Sequence, residues 1–230
     1  MNEYALDSFH PDSDFKVFHV GIIADGSGRW AKNNQIPLLD SYIVSAKITC
    51  ELLDALFSNG VNIVSLYLSS KLNFKRNAEQ IDAFCKYGYE LCRNFLPKIV
   101  STYNTAVISV GDQSLLPSYF YDELICLKEL SKDNIQTKLY LVVAYNPIDE
   151  IINAFMRTKD SGNFLESLWV REPLNIVIRT GSANVMSNFL PLQSTYARLY
   201  FIDKLFPDIT INEVLNIVHQ YRQLDLRYGD

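Results

Sequence analysis

Sulfur, imidazole and concentrated positive charge are all scarce in this chain of 230 residues. It has four cysteines and three histidines. Cys50, Cys85, Cys92 and Cys126 fall on apolar stretches without metal-ligand spacing, and His10, His19 and His219 do not complete a set, which argues against a zinc site. Reduced thiols in apolar surroundings fit the cytoplasm, where disulfides rarely persist. Lysine plus arginine number 21 against 26 acidic residues, for a net charge of −5. No long basic block occurs, so nucleic acid is not an expected partner. A phosphorylated ligand is still compatible, because a pocket needs only local positive charge. No apolar run approaches the roughly 20 residues that cross a bilayer. The polar start, Met1 to Ser8, lacks the basic and then apolar order of a signal peptide.

Apolar side chains, by contrast, make up 48% of the chain, enough for one domain with a sizeable core. Residues 1–15 read as a loose polar segment and 16–230 as that single domain. Buried strands are expected at 16–24, 61–68, 105–110, 138–144 and 174–179, with a shorter one at 199–202. Helical patterns occupy 43–57, 78–102, 117–132, 148–156 and 211–221. A polar loop is expected at 69–77. Strands that alternate with helices and are apolar throughout predict an α/β fold: a mainly parallel sheet covered by helices on both faces. Ligands then sit beyond the carboxyl ends of the strands.

The run His19-Val-Gly-Ile-Ile-Ala-Asp25-Gly26-Ser27-Gly28-Arg29-Trp30 stands at such a strand end. An apolar strand stops at a carboxylate, small residues leave backbone amides open, and an arginine follows. The amides and Arg29 would take phosphate oxygens, and Asp25 would hold a bridging Mg²⁺. Taken alone, Asp-Gly-x-Gly fits a capped strand-to-helix turn equally well. Other strand ends add Ser69-Ser70-Lys71-Leu72-Asn73-Phe74-Lys75-Arg76, then Tyr145 to Glu150, then Arg179-Thr180-Gly181, and Ser187-Asn188-Phe189. Arg29, Arg76 and Arg179 around one crevice suit a diphosphate. The helix at 78–102 offers Ile81, Phe84, Tyr87, Tyr89, Leu91 and Phe95, either as plain core or as one wall of an apolar channel.

Together these pieces resemble the cis-prenyltransferases, the family of undecaprenyl diphosphate synthase. The resemblance runs from His19 to Gly229 and includes Pro207-Asp208 and Arg227-Tyr228-Gly229. It implies a six-stranded parallel sheet with a hydrophobic tunnel, a homodimer, and transfer of an allylic chain onto a second isoprenoid diphosphate. It also implies a Mg²⁺ cofactor on Asp25 and a role for Asn73 in orienting the reacting groups. Substrate contacts are implied at Gly26, Ser27, Gly28, Arg29, Trp30, Tyr42, Ser70, Phe74, Arg76, Arg179, Ser187 and Arg198. Lipid-like substrates leave room for peripheral membrane contact.

Departures accompany the matches. Leu38 and Tyr42 stand where the family carries arginine and histidine. Val185 replaces a second arginine, and Asn146-Pro147-Ile148 replaces Gly-Gly-Arg. Arg198 occupies the place of a metal-facing glutamate, so either Arg198 touches a diphosphate directly or the second-substrate site has decayed. Leu38, Tyr42 and the Ser69-to-Gln80 run are similar to an offshoot that makes irregular products of the lavandulyl or cyclolavandulyl type. A short or irregular prenyl transfer is therefore the leading expectation. A single-substrate terpene synthase, a conventional cis-polyprenyl synthase and a non-catalytic subunit are the alternatives.

Overall fold

A computed structural model of the chain describes residues 17–158 and 164–224. The expected N-terminal segment and the Arg227-Tyr228-Gly229 motif lie outside the described residues. Six strands form one sheet in the order β3-β4-β2-β1-β5-β6, every neighbouring pair parallel. They are β1 (His19–Ile23), β2 (Ile63–Tyr67), β3 (Thr105–Val110), β4 (Thr137–Val142), β5 (Ile176–Thr180) and β6 (Arg198–Ile202). β1, β2 and β5 are buried at every residue, which is why they read as continuous apolar runs.

The helices are α1 (Ser27–Asn33), α2 (Leu38–Ser58), α3 (Ala78–Glu90), α4 (Leu96–Tyr103), α5 (Ser118–Leu130), α6 (Pro147–Thr158) and α7 (Ile211–Arg222). The larger core packs α2, α3, α4, α5 and α7 around Leu52, Leu56, Val64, Leu66, Leu91, Leu96 and Phe120. A smaller cluster gathers strand residues such as Ile23 and Tyr67 with Tyr145, Val170, Leu174 and Phe189 from the connecting segments.

Two expectations about helices needed correction. The single helix expected over 78–102 is divided into α3, a five-residue π-helical turn at Leu91–Phe95, and α4. Pro97 lies in the first turn of α4, where its missing N–H is tolerated, and the wider turn before it carries the chain across. α2 begins at Leu38, not at 43. Its extra turn escapes an apolar pattern because its buried position is Ser41, whose hydroxyl donates to the Ser27 carbonyl at 2.7 Å.

Neighbouring strands bring Ile23, Tyr67 and Arg179 into one lateral row, because Ile23 pairs with both Tyr67 and Arg179. β1 is also where the strand order reverses, with β2 on one side and β5 on the other. In parallel sheets a ligand crevice opens at such a switch point.

Candidate active site

The carboxyl ends of β1, β2, β4 and β5 border one cavity of about 1350 Å³, walled by α2 and α3. Asp25 stands at its edge. Its backbone is fixed by Thr180, whose hydroxyl donates to the Asp25 carbonyl at 2.7 Å and accepts from the Asp25 amide at 3.0 Å. Gly26 then turns the chain at φ +123, and a Cβ there would come within 2.8 Å of the Leu205 backbone. Only glycine satisfies both demands. α1 starts at once, so the cavity is lined in succession by Asp25, Gly26, Ser27, Gly28 and Arg29.

Two guanidiniums share the Asp25 carboxylate. Arg179 Nη2 donates to Oδ2 at 2.9 Å, and Arg29 Nη2 lies 3.3 Å from Oδ1. The Arg179 Nη1 donates to the Val185 carbonyl and to Ser187 Oγ, both at 2.7 Å. Its Nε is buried without a hydrogen-bond partner among the described residues. Gly181, at φ +86, lets Arg29 approach: a Cβ there would lie 2.6 Å from Arg29 Nη2. Positive charge thus outweighs negative at this corner. Asp25 is the sole carboxylate among the described lining residues. No group of three or more His, Cys, Asp or Glu side chains is placed to hold a metal among the described residues.

The segment after β2 closes a second side. Lys71 Nζ meets Asp112 after β3 and Asp149 on α6, each at 2.8 Å. These carboxylates hold its ammonium charged well above the ordinary lysine range. One cation therefore ties together the loops after three strands. Residues Lys71–Lys75 form a 3-10 turn. Asn73 Oδ1 accepts from the Ser70 amide at 2.8 Å and the Ser70 hydroxyl at 3.1 Å, which caps that turn. Its acceptor is committed to the fold, and its Nδ2 has no protein partner among the described residues. Phe74 and Arg76 line the cavity, and Phe74 meets Phe84 edge-on at 5.9 Å.

Asp25, Gly26, Ser27, Gly28, Arg29, Tyr42, Ser70, Asn73, Phe74, Arg76, Arg179 and Ser187 all border this space. Two expected contacts do not. Trp30 points its Nε1–H at Asp208, 2.7 Å away, and locks α1 to that segment. Arg198 opens β6 opposite Ile176, whereas Arg179 pairs with Phe201 at the far end of that strand. Within one chain Arg198 is exposed and lies outside the cavity lining. Ser27 lines the cavity, but its hydroxyl is engaged with Ser45 Oγ at 2.8 Å. Thr180 and Lys71 were not singled out from the sequence. Their partners lie on other strand ends, so no local spacing marks them.

At the cavity wall, Tyr145 donates to the buried Glu150, which also accepts from the Val170 amide and from Gln193. Burial pushes the Glu150 carboxyl up. This network fastens α6 to the strand preceding it. Burial likewise raises the Tyr67 phenol to about 12 and the Cys85 thiol to about 11, so both stay neutral. All four cysteines are free thiols.

The undecaprenyl diphosphate synthase family model matches residues 23–229, nearly the whole chain. The chain belongs to this prenyltransferase family. An isoprenyl transferase of Treponema denticola is 27% identical over 92% of this chain and 97% of its own length. A tritrans,polycis-undecaprenyl-diphosphate synthase (geranylgeranyl-diphosphate specific) of Pyrococcus horikoshii is 29% identical, covering 92% of this chain and 86% of its own. The crystal structure of lavandulyl diphosphate synthase from Lavandula x intermedia, in complex with dimethylallyl diphosphate, superposes with a TM-score of 0.85. It covers 92% of this chain and 98% of that one at 23% identity, a likeness of fold. Membership makes this protein a transferase of prenyl groups, with isoprenoid diphosphates as its substrate class. No helix among the described residues is long and apolar enough to cross a membrane.

Proposed function

We propose that this prenyltransferase ionises a short allylic diphosphate at the Asp25–Arg29–Arg179 corner and joins the prenyl group to a second five-carbon isoprenoid diphosphate. The product is short and of irregular, lavandulyl type. The observation that carries this reading is the convergence of Arg29 and Arg179 on Asp25 beside a cavity walled by aromatic rings. In the reaction the allylic C–O bond breaks, and its electron pair leaves with the diphosphate. The double bond of the second substrate then supplies the pair for the new C–C bond, and a proton is lost from the coupled product.

The residues suit those steps. Arg29 and Arg179 present fixed guanidiniums that favour the charge gathering on the departing diphosphate. The aromatic lining, Phe74, Phe84, Tyr42 and Tyr87, shelters the electron-poor carbon skeleton from water. Asn73 has its Nδ2 donors available for the second diphosphate. A magnesium ion fits this donor set, since one carboxylate completed by phosphate oxygens and water is a coordination magnesium accepts. Asp25 is the residue that would hold it, and the bound ion would supply further neutralisation of the diphosphate.

A homodimer belongs to the same proposal. β6 is an edge strand that exposes Leu199 and Phe201, and α6 exposes Ile148, Ile152, Phe155 and Met156. Exposed apolar surface of this kind marks an interface, and a second copy is the occupant proposed. Sedimentation of wild type and Phe155→Asp checks it: a dimer that dissociates supports the assembly, and a monomeric wild type opposes it.

The activity is tested by mass spectrometry of products from dimethylallyl, geranyl, farnesyl and isopentenyl diphosphates, offered singly and in pairs. A coupled product that requires two substrates, short and irregular in skeleton, supports the proposal. Long regular polyprenyl products, or a hydrocarbon formed from one substrate alone, contradict it.

A further inference from the structure

α1 carries Arg29 yet has little of its own to hold it in place. It spans seven residues, Gly26 gives it no side-chain cap, and its first turn holds no acidic residue. A helix of two turns is marginal alone, so its orientation comes from what it touches. At about 3.6 residues per turn, Ser27 and Trp30 share one face and Arg29 points away from it. The shared face is anchored, and Arg29 is left to meet Asp25.

Two anchors act on that face. Toward α2, Ser27 Oγ meets Ser45 Oγ at 2.8 Å, and the Ser27 carbonyl accepts from Ser41 Oγ at 2.7 Å. On the other side, Trp30 Nε1–H donates to Asp208 Oδ1 at 2.7 Å. Asp208 ends the 3-10 turn Phe206–Asp208, whose Phe206 and Pro207 are buried. The segment from β6 into this turn also holds the corner directly. The Lys204 carbonyl accepts from the Gly181 amide at 2.7 Å, and the Phe206 amide donates to the Asp25 carbonyl at 3.0 Å. The Leu205 backbone closes over Gly26 so tightly that a Cβ there would lie 2.8 Å away. Lys204 to Asp208 therefore touch the backbone of Asp25, Gly26 and Gly181, and the Trp30 side chain. The Trp30–Asp208 bond is exposed, and a single exposed bond adds little to global stability. Its larger effect is on the direction of α1.

We propose that Asp208 is a positioning residue: through Trp30 it fixes the rotation of α1, and with it the direction in which Arg29 presents its guanidinium to a diphosphate. The proposal rests on the prenyl-transfer reading above and adds to it a pair that stands outside the cavity lining. Asp208 does not touch the substrate. Its effect reaches the headgroup only through Arg29.

Dimethylallyl thiolodiphosphate, in which sulfur replaces the bridging oxygen, binds without reacting and separates recognition from turnover. Calorimetric titration well below the melting temperature compares wild type with Asp208→Ala, Asp208→Asn and Trp30→Phe. Asp208→Ala and Trp30→Phe are expected to bind the analogue about five- to tenfold more weakly. Asp208→Asn keeps an oxygen acceptor for the indole N–H and should stay within about threefold of wild type. Alanine and asparagine remove the same negative charge, so the difference between them reads the hydrogen bond alone. In an Arg29→Met background, adding Asp208→Ala should cost no further affinity, whereas a role confined to the fold would cost the same in both backgrounds. Asp208 is exposed, so its variants carry the test even where Trp30→Phe fails to fold. Wild-type affinity in a folded Asp208→Ala protein overturns the proposal. So does an equal loss with and without Arg29. A wild type that does not bind the analogue overturns the prenyl-transfer reading itself, and the positioning role with it.

Discussion

Arg179 Nη2 lies 2.9 Å from Asp25 Oδ2, although the two residues are 154 positions apart in the chain. The contact follows from sheet register: Ile23 of β1 pairs with Arg179 of β5, and Asp25 stands two residues beyond Ile23. Arg179 is nearly buried and its other amino group grips the loop at Val185 and Ser187, so it cannot swing away freely. It holds the carboxylate in position and keeps an unpaired Nε in reserve. In the proposed reaction, a diphosphate entering here would meet guanidiniums that are already oriented.

Arg179→Lys should therefore not rescue function. Lysine keeps the charge but loses the planar fork that serves Asp25, Val185 and Ser187 together. Steady-state assays with the productive substrate pair should show kcat/KM lower by about 10²–10³. Retention of activity within threefold would remove Arg179 from the site.

Lys71→Met should act on the same reaction from the cavity's wall, where Lys71 is a lining residue. Its ion pairs to Asp112 and Asp149 hold the Ser70–Arg76 segment against its neighbours. These groups are half-buried and still reach solvent, so the melting temperature should move only slightly. Misplacement of Asn73 and Arg76 should lower kcat/KM by roughly tenfold or more. Assay beside thermal melting distinguishes a loosened site from a loosened fold.

Gly181→Ala places a side chain at φ +86 and 2.6 Å from Arg29 Nη2. The strain should cost about 1–3 kcal/mol of stability by denaturant titration. Displacement of Arg29 should also weaken binding of inorganic pyrophosphate, read by calorimetry. A variant that binds pyrophosphate as wild type does would show that Arg29 is not a headgroup contact.

His19 sits fully buried at the opposite end of β1, with Nε2 against Ser65 Oγ at 2.9 Å and Nδ1 against the Glu172 and Pro173 carbonyls. Burial lowers its pKa to about 4. The unfolded chain therefore takes up this proton first as pH falls from about 6.5. The contribution is complete above that pH and declines below it, by about 2 kcal/mol at pH 5. Glu172 and Glu213, both lowered, titrate at more acid pH, and Glu150, raised by burial, acts in the opposite sense. The difference between wild type and His19→Gln isolates the histidine. Parallel pH profiles for the two proteins would contradict this.

The strands were legible because burial on both faces leaves an unbroken apolar run, as in Val20 to Ile23 and Leu139 to Val142. Asp25, Arg29 and Arg179 were legible as residues that follow strand ends, and the structure brings their side chains together. The first turn of α2 was hidden because hydrogen-bonded serines, not apolar residues, face inward there. Trp30 was misjudged because its partner Asp208 is 178 residues away, and no local pattern announces such a contact. Asn73 shows the same difficulty: the residue type suggested chemistry, but its oxygen caps a turn. Arg198 stood out by its charge, yet strand register places it at the opposite end of β6 from the cavity row.

The most direct measurement is a crystal structure with the thiolodiphosphate analogue of dimethylallyl diphosphate. The diphosphate oxygens should lie within about 3 Å of both the Arg29 and Arg179 guanidiniums, with the carbon chain directed toward Tyr42 and Tyr87. An intact Asp25–Arg179 pair with the headgroup bound elsewhere would contradict the account.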